Sequence, residues 1–308
     1  MADRPLRVTY LSGTSYCGST LLALVVDCHP QVASIGETSF SRKAQQRARA
    51  RQACSCGQPV RVCPFWTRVF DGVQQQGHQF DVLHWTNDYR YLHPWLHRVL
   101  STYSQQPAVQ LAQRAAQVLL PGHRAKIDRA NRVNVALVRT VLNITGADVF
   151  FDTSKGVLRL HYLLQVPELD VRVVRLVRDV RAFVESARRR GRALDDAVDE
   201  WTSYHESMER LAGRLSPERL LTLRYEDLCR EPDTWLKRLY RFMSVAEIEP
   251  PATIESGEHH VLGNRIRLNG TLRIRLDEKW RNSLAQDDQE RILAMAGLLN
   301  ERLGYASH

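Results

Sequence analysis

The chain has 308 residues, of which 44% are hydrophobic and 25% are charged, so it can bury a sizeable core as an ordinary globular protein. Its net charge of +9 favours anionic ligands, nucleic acid or acidic surfaces. No run of about 18 apolar residues is present, and a strand-like pattern begins by Arg7, so we expect a cytoplasmic protein without a signal peptide or membrane span. The six cysteines are too few for a disulfide scaffold, and reduced thiols are expected.

Residues 7–22 predict a β-strand that runs through a loop of small residues directly into a helix. Backbone N–H groups, hydroxyls and the positive end of such a helix together bind phosphate. Gly13 and Gly18 have the spacing of a Walker A motif, but Ser19 stands where its lysine would be, so nucleotide hydrolysis is not expected. The candidate ligands are Gly13, Thr14, Ser15, Tyr16, Cys17, Gly18, Ser19 and Thr20.

Strand and helix patterns alternate along the rest of the chain and predict a parallel sheet. Strands are expected at 32–35, 149–152, 171–177 and about 219–224, and helices at about 157–166, 180–190, 196–214, 233–243 and 287–303. Residues from about 42 to 125 break the alternation and predict a mainly helical, cysteine-containing insertion in a single domain spanning 1–308. The expected fold is α/β, a P-loop-like three-layer arrangement around a central parallel sheet, with ligands at the carboxyl ends of its strands.

A second anion site is predicted where the strand at 171–177 ends. Arg178 follows that strand, Ser186 lies about two helical turns further on, and Arg190 one turn beyond, so the three can face one anion. Arg178 could instead simply pair with Asp179. The basic segment 255–281 suits either a phosphate or a nucleic acid, and its candidate ligands are Gly263, Asn264, Arg265 and Arg267.

These segments together resemble the sulfotransferase family that uses 3′-phosphoadenosine 5′-phosphosulfate (PAPS), including its protein-tyrosine and carbohydrate branches. The matching motifs are SGTSYCGSTLL, VRDVRAFVES, LRYEDLCREPDTWLKRLYRFM, HHVLGNRIR and LDEKW. The resemblance implies that the first loop holds the 5′-phosphosulfate, that Arg178, Ser186 and Arg190 hold the 3′-phosphate, and that Tyr225 lies near the nucleotide. It further implies that residues 263–267 close over PAPS and that transfer needs no metal.

Three residues are candidates for the chemistry itself. Glu37 follows the second strand and matches a catalytic glutamate of the protein-tyrosine branch, although a turn or capping role with Thr38 is the alternative. His29 is an alternative base. Lys155 follows another strand, where a cation can neutralise the leaving phosphate oxygen. Many relatives carry Arg or Lys inside the phosphosulfate loop, where this chain has Tyr16 and Cys17. Either Lys155 or an arginine within 42–51 supplies that charge instead, or activity is reduced or lost.

Cys54, Cys56 and Cys63 form a cluster with only three potential zinc ligands, so a fourth would have to come from a distant residue such as His78. We interpret the cluster as a local clasp, metal-bound or disulfide-linked, and assign no metal.

The sequence thus predicts an enzyme, of bacterial character, that moves a sulfuryl group from PAPS to a hydroxyl or amine of a carbohydrate, lipid or small-molecule metabolite. The alternatives are a P-loop-type phosphotransferase, which would need magnesium and a loop lysine, and a non-enzymatic basic protein that binds nucleic acid. The placement of arginines at strand ends argues against a nucleic-acid partner, and the oligomeric state is left open.

Overall fold

A computed structural model describes residues 4–38, 52–89 and 121–306, together with 108, 111, 112, 115 and 119. Within this part of the chain a five-stranded parallel sheet contains β1 (Leu6–Ser12), β2 (Val32–Gly36), β3 (Val149–Lys155), β4 (Leu169–Val177) and β5 (Leu220–Arg224). The strands lie in the order β2-β3-β1-β4-β5. The expected α/β fold with a central parallel sheet is confirmed.

The helices are α1 (Ser19–Asp27), α2 (Pro64–Gln75), α3 (Pro121–Thr145), α4 (Val157–Leu163), α5 (Val180–Arg188), α6 (Leu194–Ala212), α7 (Tyr225–Arg230), α8 (Pro232–Met243), α9 (Trp280–Ser283) and α10 (Gln286–Arg302). A short antiparallel pair, β6 (Ile254–Glu255) with β7 (Thr271–Leu272), follows α8. The expected helices and strands after residue 149 are all present, with ends shifted by a few residues.

Helices cover both faces of the sheet, which gives the three layers. Along β1, alternate side chains point to opposite faces, so Val8 and Tyr10 pack in the core beneath α2 and α3 whereas Leu11 packs in the core beneath α1 and α8. A third apolar cluster joins α5, α6, α9 and α10 at the carboxyl end of β4. Because both faces are buried, the strands are near-continuous apolar runs.

The predicted insertion at 42–125 lies partly outside the described residues. Its described portion contains a tight loop over 52–63 and α2, which begins with Pro64 at a first-turn position and gives way to Gly77 at φ 81°. The long helix α3 was not predicted and begins before residue 125. Its buried residues Ile127, Ala130, Leu137 and Val141 are three, seven and four residues apart, which is the spacing of one face of a helix and was already present in the sequence.

No helix in the described ranges is both long enough and apolar enough to cross a membrane.

The carboxyl ends of all five strands meet at one edge of the sheet. β1 leads into the loop before α1, and the other strands lead to Glu37, Lys155, Arg178 and Tyr225. The pairing of β1 with β3 becomes irregular between Tyr10 and Ser12, so that Ser12 lies opposite Lys155. This edge therefore gathers side chains that are far apart in the sequence.

Candidate active site

A cavity of about 640 Å³ opens at this edge of the sheet. Its walls come from the β1–α1 loop, the ends of β2, β3 and β4, the helices α5 and α7, and the segment after β6. The lining residues are Ser15, Tyr16, Gly18, Ser19, Thr20, Leu21, Glu37, Lys155, Arg178, Ser186, Arg189, Arg190, Tyr225, Gly263, Asn264, Ile266 and Asp277. Thirteen of these seventeen are residues that the sequence predicted as site residues.

The N-terminus of α1 opens into this cavity. Gly18 caps the helix at φ 94°, and a Cβ there would lie 2.6 Å from the Tyr225 ring, so both the conformation and the space require glycine. No described side chain caps α1 and its first turn holds no acidic residue. The first-turn N–H groups and the helix dipole therefore present a positive end to the cavity, as an anion site requires.

Lys155 supplies a cation to this helix end from the neighbouring strand. It adopts a left-handed conformation, φ 67°, which is unusual for a residue with a side chain. Its Nζ donates to Ser19 Oγ at 3.4 Å and to Glu37 Oε1 at 2.6 Å. The loop itself has Ser19 at the Walker A lysine position and Tyr16 and Cys17 where many relatives carry a basic residue, so β3 provides the charge that the loop lacks. The alternative arginines at 42–51 lie outside the described residues.

Arg178 forms the floor between the loop and α7. Its guanidinium donates to the Tyr16 carbonyl at 2.7 Å and to the Asp277 carbonyl at 2.9 Å, and it stacks on the Tyr225 ring with 4.5 Å between the guanidinium carbon and the ring centre. The Arg178 Nε is buried and has no hydrogen-bond partner among the described residues. The Asp277 carboxylate lies 3.5 Å from the same guanidinium. Arg178 therefore brings a nearly buried, partly compensated positive charge to the cavity wall.

Asp179 does not neutralise Arg178. Its side chain caps α5 by accepting from the Arg181 backbone N–H at 2.8 Å, and it pairs with the Arg181 guanidinium at 2.7 Å. The possibility that Arg178 merely pairs with its neighbour is thereby excluded.

The outer wall is formed by Ser186 and Arg190, both predicted as site residues. The helix that was expected to reach about residue 190 ends at Arg188, so Arg190 lies in the turn after α5. Ser186 is nearly buried in α5, and the Arg190 guanidinium carbon lies 4.8 Å from the centre of the Tyr16 ring. That ring in turn packs against Phe183 at 5.9 Å between centroids. Tyr16, which has a left-handed φ of 62°, thus contacts Arg190 through its ring and Arg178 through its carbonyl.

Residues 261–264, called the strap below, close the opposite side. Leu262 extends the edge of β2, because its N–H donates to the Ile35 carbonyl at 2.9 Å and its carbonyl accepts from the Glu37 N–H at 3.2 Å. A Cβ on Gly36, whose φ is 76°, would lie 1.9 Å from the Leu262 carbonyl oxygen. The Asn264 N–H donates to Thr20 Oγ1 at 3.0 Å. The strap is therefore tied both to this edge of the sheet and to α1.

His29 is not brought to the cavity, which corrects its prediction as an alternative base. It is 1% exposed, its Nε2 bonds the Ala246 carbonyl at 2.8 Å, and its Nδ1 accepts from the Gln31 N–H at 3.0 Å. Both nitrogens are thus used to hold the turn after α1.

Five further predicted residues also lie outside the lining: Gly13, Thr14, Cys17, Arg265 and Arg267. Cys17 is fully buried, and burial raises the pKa of its thiol, which suits packing. Gly13 is needed for shape, since a Cβ there would lie 2.8 Å from the Leu176 carbonyl oxygen. Arg267 is 1% exposed and donates to the Gly263 carbonyl at 2.7 Å, because its side chain turns inward rather than toward the cavity.

Four lining residues were not predicted: Leu21, Arg189, Ile266 and Asp277. Asp277 begins the DEKW part of a recognised motif, and it contacts Arg178 through its main-chain carbonyl at 2.9 Å and through its carboxylate at 3.5 Å. The backbone contact leaves no signal in residue type.

Comparison with known proteins points to one family. A family model described as the sulfotransferase family matches residues 11–249. The chain is similar in structure to the sulfotransferase domain from the Synechococcus PCC 7002 olefin synthase, with 18% identity, 98% of this chain and 96% of that chain covered, and a TM-score of 0.55. It is also similar to the sulfotransferase domain from the curacin biosynthetic pathway, with 17% identity, 96% and 99% covered, and a TM-score of 0.51. No curated protein sequence matches the chain.

Proposed function

The chain belongs to the sulfotransferase family and is a PAPS-dependent sulfotransferase enzyme, and from that premise we propose which residues hold PAPS and which carry the transfer. Transfer would move the sulfuryl group from PAPS to an acceptor hydroxyl or amine of a carbohydrate, lipid or small-molecule metabolite, with adenosine 3′,5′-bisphosphate (PAP) as the product. The acceptor proton must leave in the same reaction.

The observation that carries this proposal is the presence of two separate anion-binding walls in one cavity. The first is the open N-terminus of α1 with Ser19 and the ammonium of Lys155. The second is formed by Arg178, Ser186 and Arg190 on the other side of the Tyr16 ring. PAP carries phosphate on two positions of one ribose and so needs two such sites, whereas a nucleoside triphosphate needs one polyphosphate cradle. The residues present therefore fit this nucleotide.

Lys155 and Glu37 are placed for complementary roles. The Lys155 ammonium lies between Ser19 and the Glu37 carboxylate, so it can stabilise negative charge that develops on the leaving phosphate oxygen beside α1. The Glu37 carboxylate lies next to that point and can accept the proton of an acceptor hydroxyl. In-line transfer of this type depends on alignment and charge stabilisation more than on covalent catalysis.

The two alternatives are less well supported. A magnesium-dependent phosphotransferase of the P-loop type would use a loop lysine, and this chain has Ser19 at that position. A nucleic-acid-binding surface would need unpaired arginines. Here many exposed arginines pair with acids, as Arg219 does with Asp170.

Calorimetric titration with PAP, adenosine 5′-monophosphate, and ATP with magnesium tests the proposal. PAP should bind at least about tenfold more tightly than the monophosphate, because the 3′-phosphate adds charge-assisted hydrogen bonds worth about 1.5–3 kcal/mol. A short single-stranded RNA serves as the nucleic-acid arm. Equal affinity for PAP and the monophosphate would contradict the role of the second anion wall in binding the 3′-phosphate. Preference for ATP or for RNA would support the corresponding alternative function.

A further inference from the structure

We propose that Cys54, Cys56, Cys63 and His260 bind one structural Zn²⁺ ion that fastens the 52–63 loop to the strap beside the cavity. Their ligand atoms all lie within 4.8 Å of one another. His260 Nδ1 is 3.6 Å from Cys54 Sγ and 3.4 Å from Cys63 Sγ, and Cys56 Sγ is 3.6 Å from Cys63 Sγ. This site lies outside the proposed transfer machinery.

These separations match a tetrahedral zinc site. Zn–S bonds of about 2.3 Å and Zn–N bonds of about 2.0 Å put neighbouring ligand atoms roughly 3.5–3.8 Å apart. A disulfide would require its two sulfurs about 2.05 Å apart and would leave one of three cysteines over. The convergence of an imidazole nitrogen on the three thiols is the feature that a disulfide clasp does not explain.

The local backbone is built to present the thiols. The Cys54 N–H donates to the Gln58 carbonyl at 2.7 Å, and the Gly57 N–H donates to the Cys54 carbonyl at 2.9 Å with Gly57 at φ 84°, so a tight turn brings Cys54 and Cys56 to one side. Cys63 is the N-cap of α2, so its side chain lies where the loop ends and the helix begins. The turn and the start of the helix therefore present the three sulfurs to one point.

His260 is held independently of the thiols. Its ring stacks on Phe65 with 4.4 Å between centroids and a 6° interplanar angle, and its carbonyl accepts from Trp66 Nε1 at 3.2 Å. The Ser55 hydroxyl, from within the cysteine loop, donates to the carbonyl of His259. This support fixes which ring nitrogen faces the sulfurs.

A buried arginine supplies charge compensation. Three thiolates, one neutral imidazole and Zn²⁺ leave one net negative charge on the site. Arg267 donates to the Ala53 carbonyl at 2.7 Å, directly beside Cys54, and pairs with no carboxylate among the described residues. A buried guanidinium without a counter-charge is costly, so the zinc–thiolate centre explains why this arginine points inward.

His78 is not the fourth ligand. It lines a different cavity with Asn131 and Arg139, whereas His260 lies 197 residues after Cys63 in the sequence and directly beside it in the fold. The metal would consequently join two distant parts of the chain. One part is the loop before α2, and the other runs directly into the strap.

The first experiment measures metal in the full-length protein purified without chelators. Mass spectrometry should find about one zinc per chain, and replacement by Co²⁺ should give the visible absorption bands of a tetrahedral site with thiolate ligands. Peptide mapping under non-reducing conditions should find Cys56 and Cys63 as free thiols. Zinc far below one equivalent together with no such cobalt bands, or a disulfide between these two cysteines, would overturn the assignment.

Matched variants locate the ion. Cys56→Ser and His260→Gln should each lower zinc content and abolish the cobalt bands. Cys28→Ser and His78→Gln, which change the same residue types outside the cluster, should retain both. Full zinc in the first pair would place the metal elsewhere. If the first pair fails to fold, the metal content and cobalt spectrum of the unmodified protein still decide the question.

Removal of the metal should loosen the strap. Chelation under reducing conditions should speed amide hydrogen exchange in 52–63 and 259–264 by tenfold or more, while exchange in α10 stays unchanged. Unchanged exchange in these two segments would refute the fastening role. Chelation is also expected to lower the affinity for PAP, because the strap lines the cavity. Among these measurements, only the PAP affinity rests on the proposed function. Normal zinc binding without PAP binding would therefore contradict the proposed function and leave the metal site intact.

Discussion

Replacing Lys155 by Gln is expected to weaken PAP binding, because its ammonium is the cation that the structure places at the N-terminus of α1. The side chain is 16% exposed and its Nζ lies 3.4 Å from Ser19 Oγ. A hydrogen bond from a charged group contributes about 1.5–3 kcal/mol, and about 1.4 kcal/mol corresponds to a factor of ten. The dissociation constant should therefore rise roughly 10- to 150-fold, toward the lower value because solvent screens part of the interaction.

Glu37→Gln should behave in the opposite way. The Glu37 carboxylate lies 2.6 Å from Lys155 Nζ and competes with a bound phosphate for the same ammonium. Without that carboxylate charge, PAP should bind as tightly as before or more tightly. Turnover should fall on the order of 100-fold or more, because the proton acceptor is lost. The pair of variants thus separates anion binding from proton removal.

The assay is calorimetric titration of PAP at two salt concentrations, combined with release of PAP from PAPS as the measure of turnover. Lys237→Gln is the matched control, since Lys237 forms a similar ion pair with Glu249 outside the cavity. An unchanged PAP affinity in Lys155→Gln would remove this lysine from the anion site. Loss of PAP affinity in Glu37→Gln would mean that the Lys155–Glu37 ion pair is needed for the structure of the site. Anion binding by Lys155 and proton removal by Glu37 would then not be separable roles.

Three further outcomes follow from the geometry. Arg190→Gln should weaken PAP binding about fivefold or more but leave adenosine 5′-monophosphate binding unchanged, and the control Arg192→Gln should change neither affinity. Calorimetric titration of both ligands measures this, and equal losses of affinity for the two ligands in Arg190→Gln would contradict a 3′-phosphate contact. Gly36→Ala should lower the free energy of unfolding in urea by about 1–3 kcal/mol, because the alanine Cβ would lie 1.9 Å from the Leu262 carbonyl oxygen. Unchanged stability would mean that the strap can move away without cost. Burial, together with the neighbouring Arg175 guanidinium, lowers the pKa of His205 well below its usual value. The His205 imidazole therefore stays neutral in the folded protein, whereas in the unfolded chain it takes up a proton below about pH 6.5. Stability should therefore decline as the pH falls through that range, by at most about 1.4 kcal/mol per pH unit from this group, and His205→Phe should reduce that slope; an identical slope in the variant would refute the assignment.

The sequence was sufficient to predict the sheet and much of the cavity wall. Apolar runs that end at Glu37, Lys155 and Arg178 identify the carboxyl ends of three strands, and in a parallel sheet these ends share one edge. The helical spacing from Arg178 also predicted Ser186 on α5, whereas Arg190 reaches the cavity from the turn that follows the end of α5 at Arg188. Regular elements make these positions predictable, because their geometry fixes the direction of each side chain within narrow limits.

The segment after β6 shows why the rest could not be predicted. It lacks a repeating pattern, so nothing in the sequence distinguishes Arg265, which is exposed, from Arg267, which is buried. The same holds for His260, whose proximity to Cys63 depends on the strap pairing with β2 through Leu262. Such contacts arise from the path of one irregular segment across the sheet edge, and local propensity carries no information about that path.

The missing loop cation shows how a departure from a family pattern is resolved in space. Taken alone, Tyr16 and Cys17 in place of the relatives' basic residue leave the loop without a cation. In the fold, β3 lies beside β1 with Ser12 opposite Lys155, so a side chain from the end of β3 reaches the helix end that the loop residue would have reached. Lys155 adopts a left-handed backbone conformation in this arrangement, and its ammonium pairs with the Glu37 carboxylate at 2.6 Å. Because Lys155 comes from the end of the strand, its ammonium contacts both Ser19 at the start of α1 and the Glu37 carboxylate, the proposed proton acceptor.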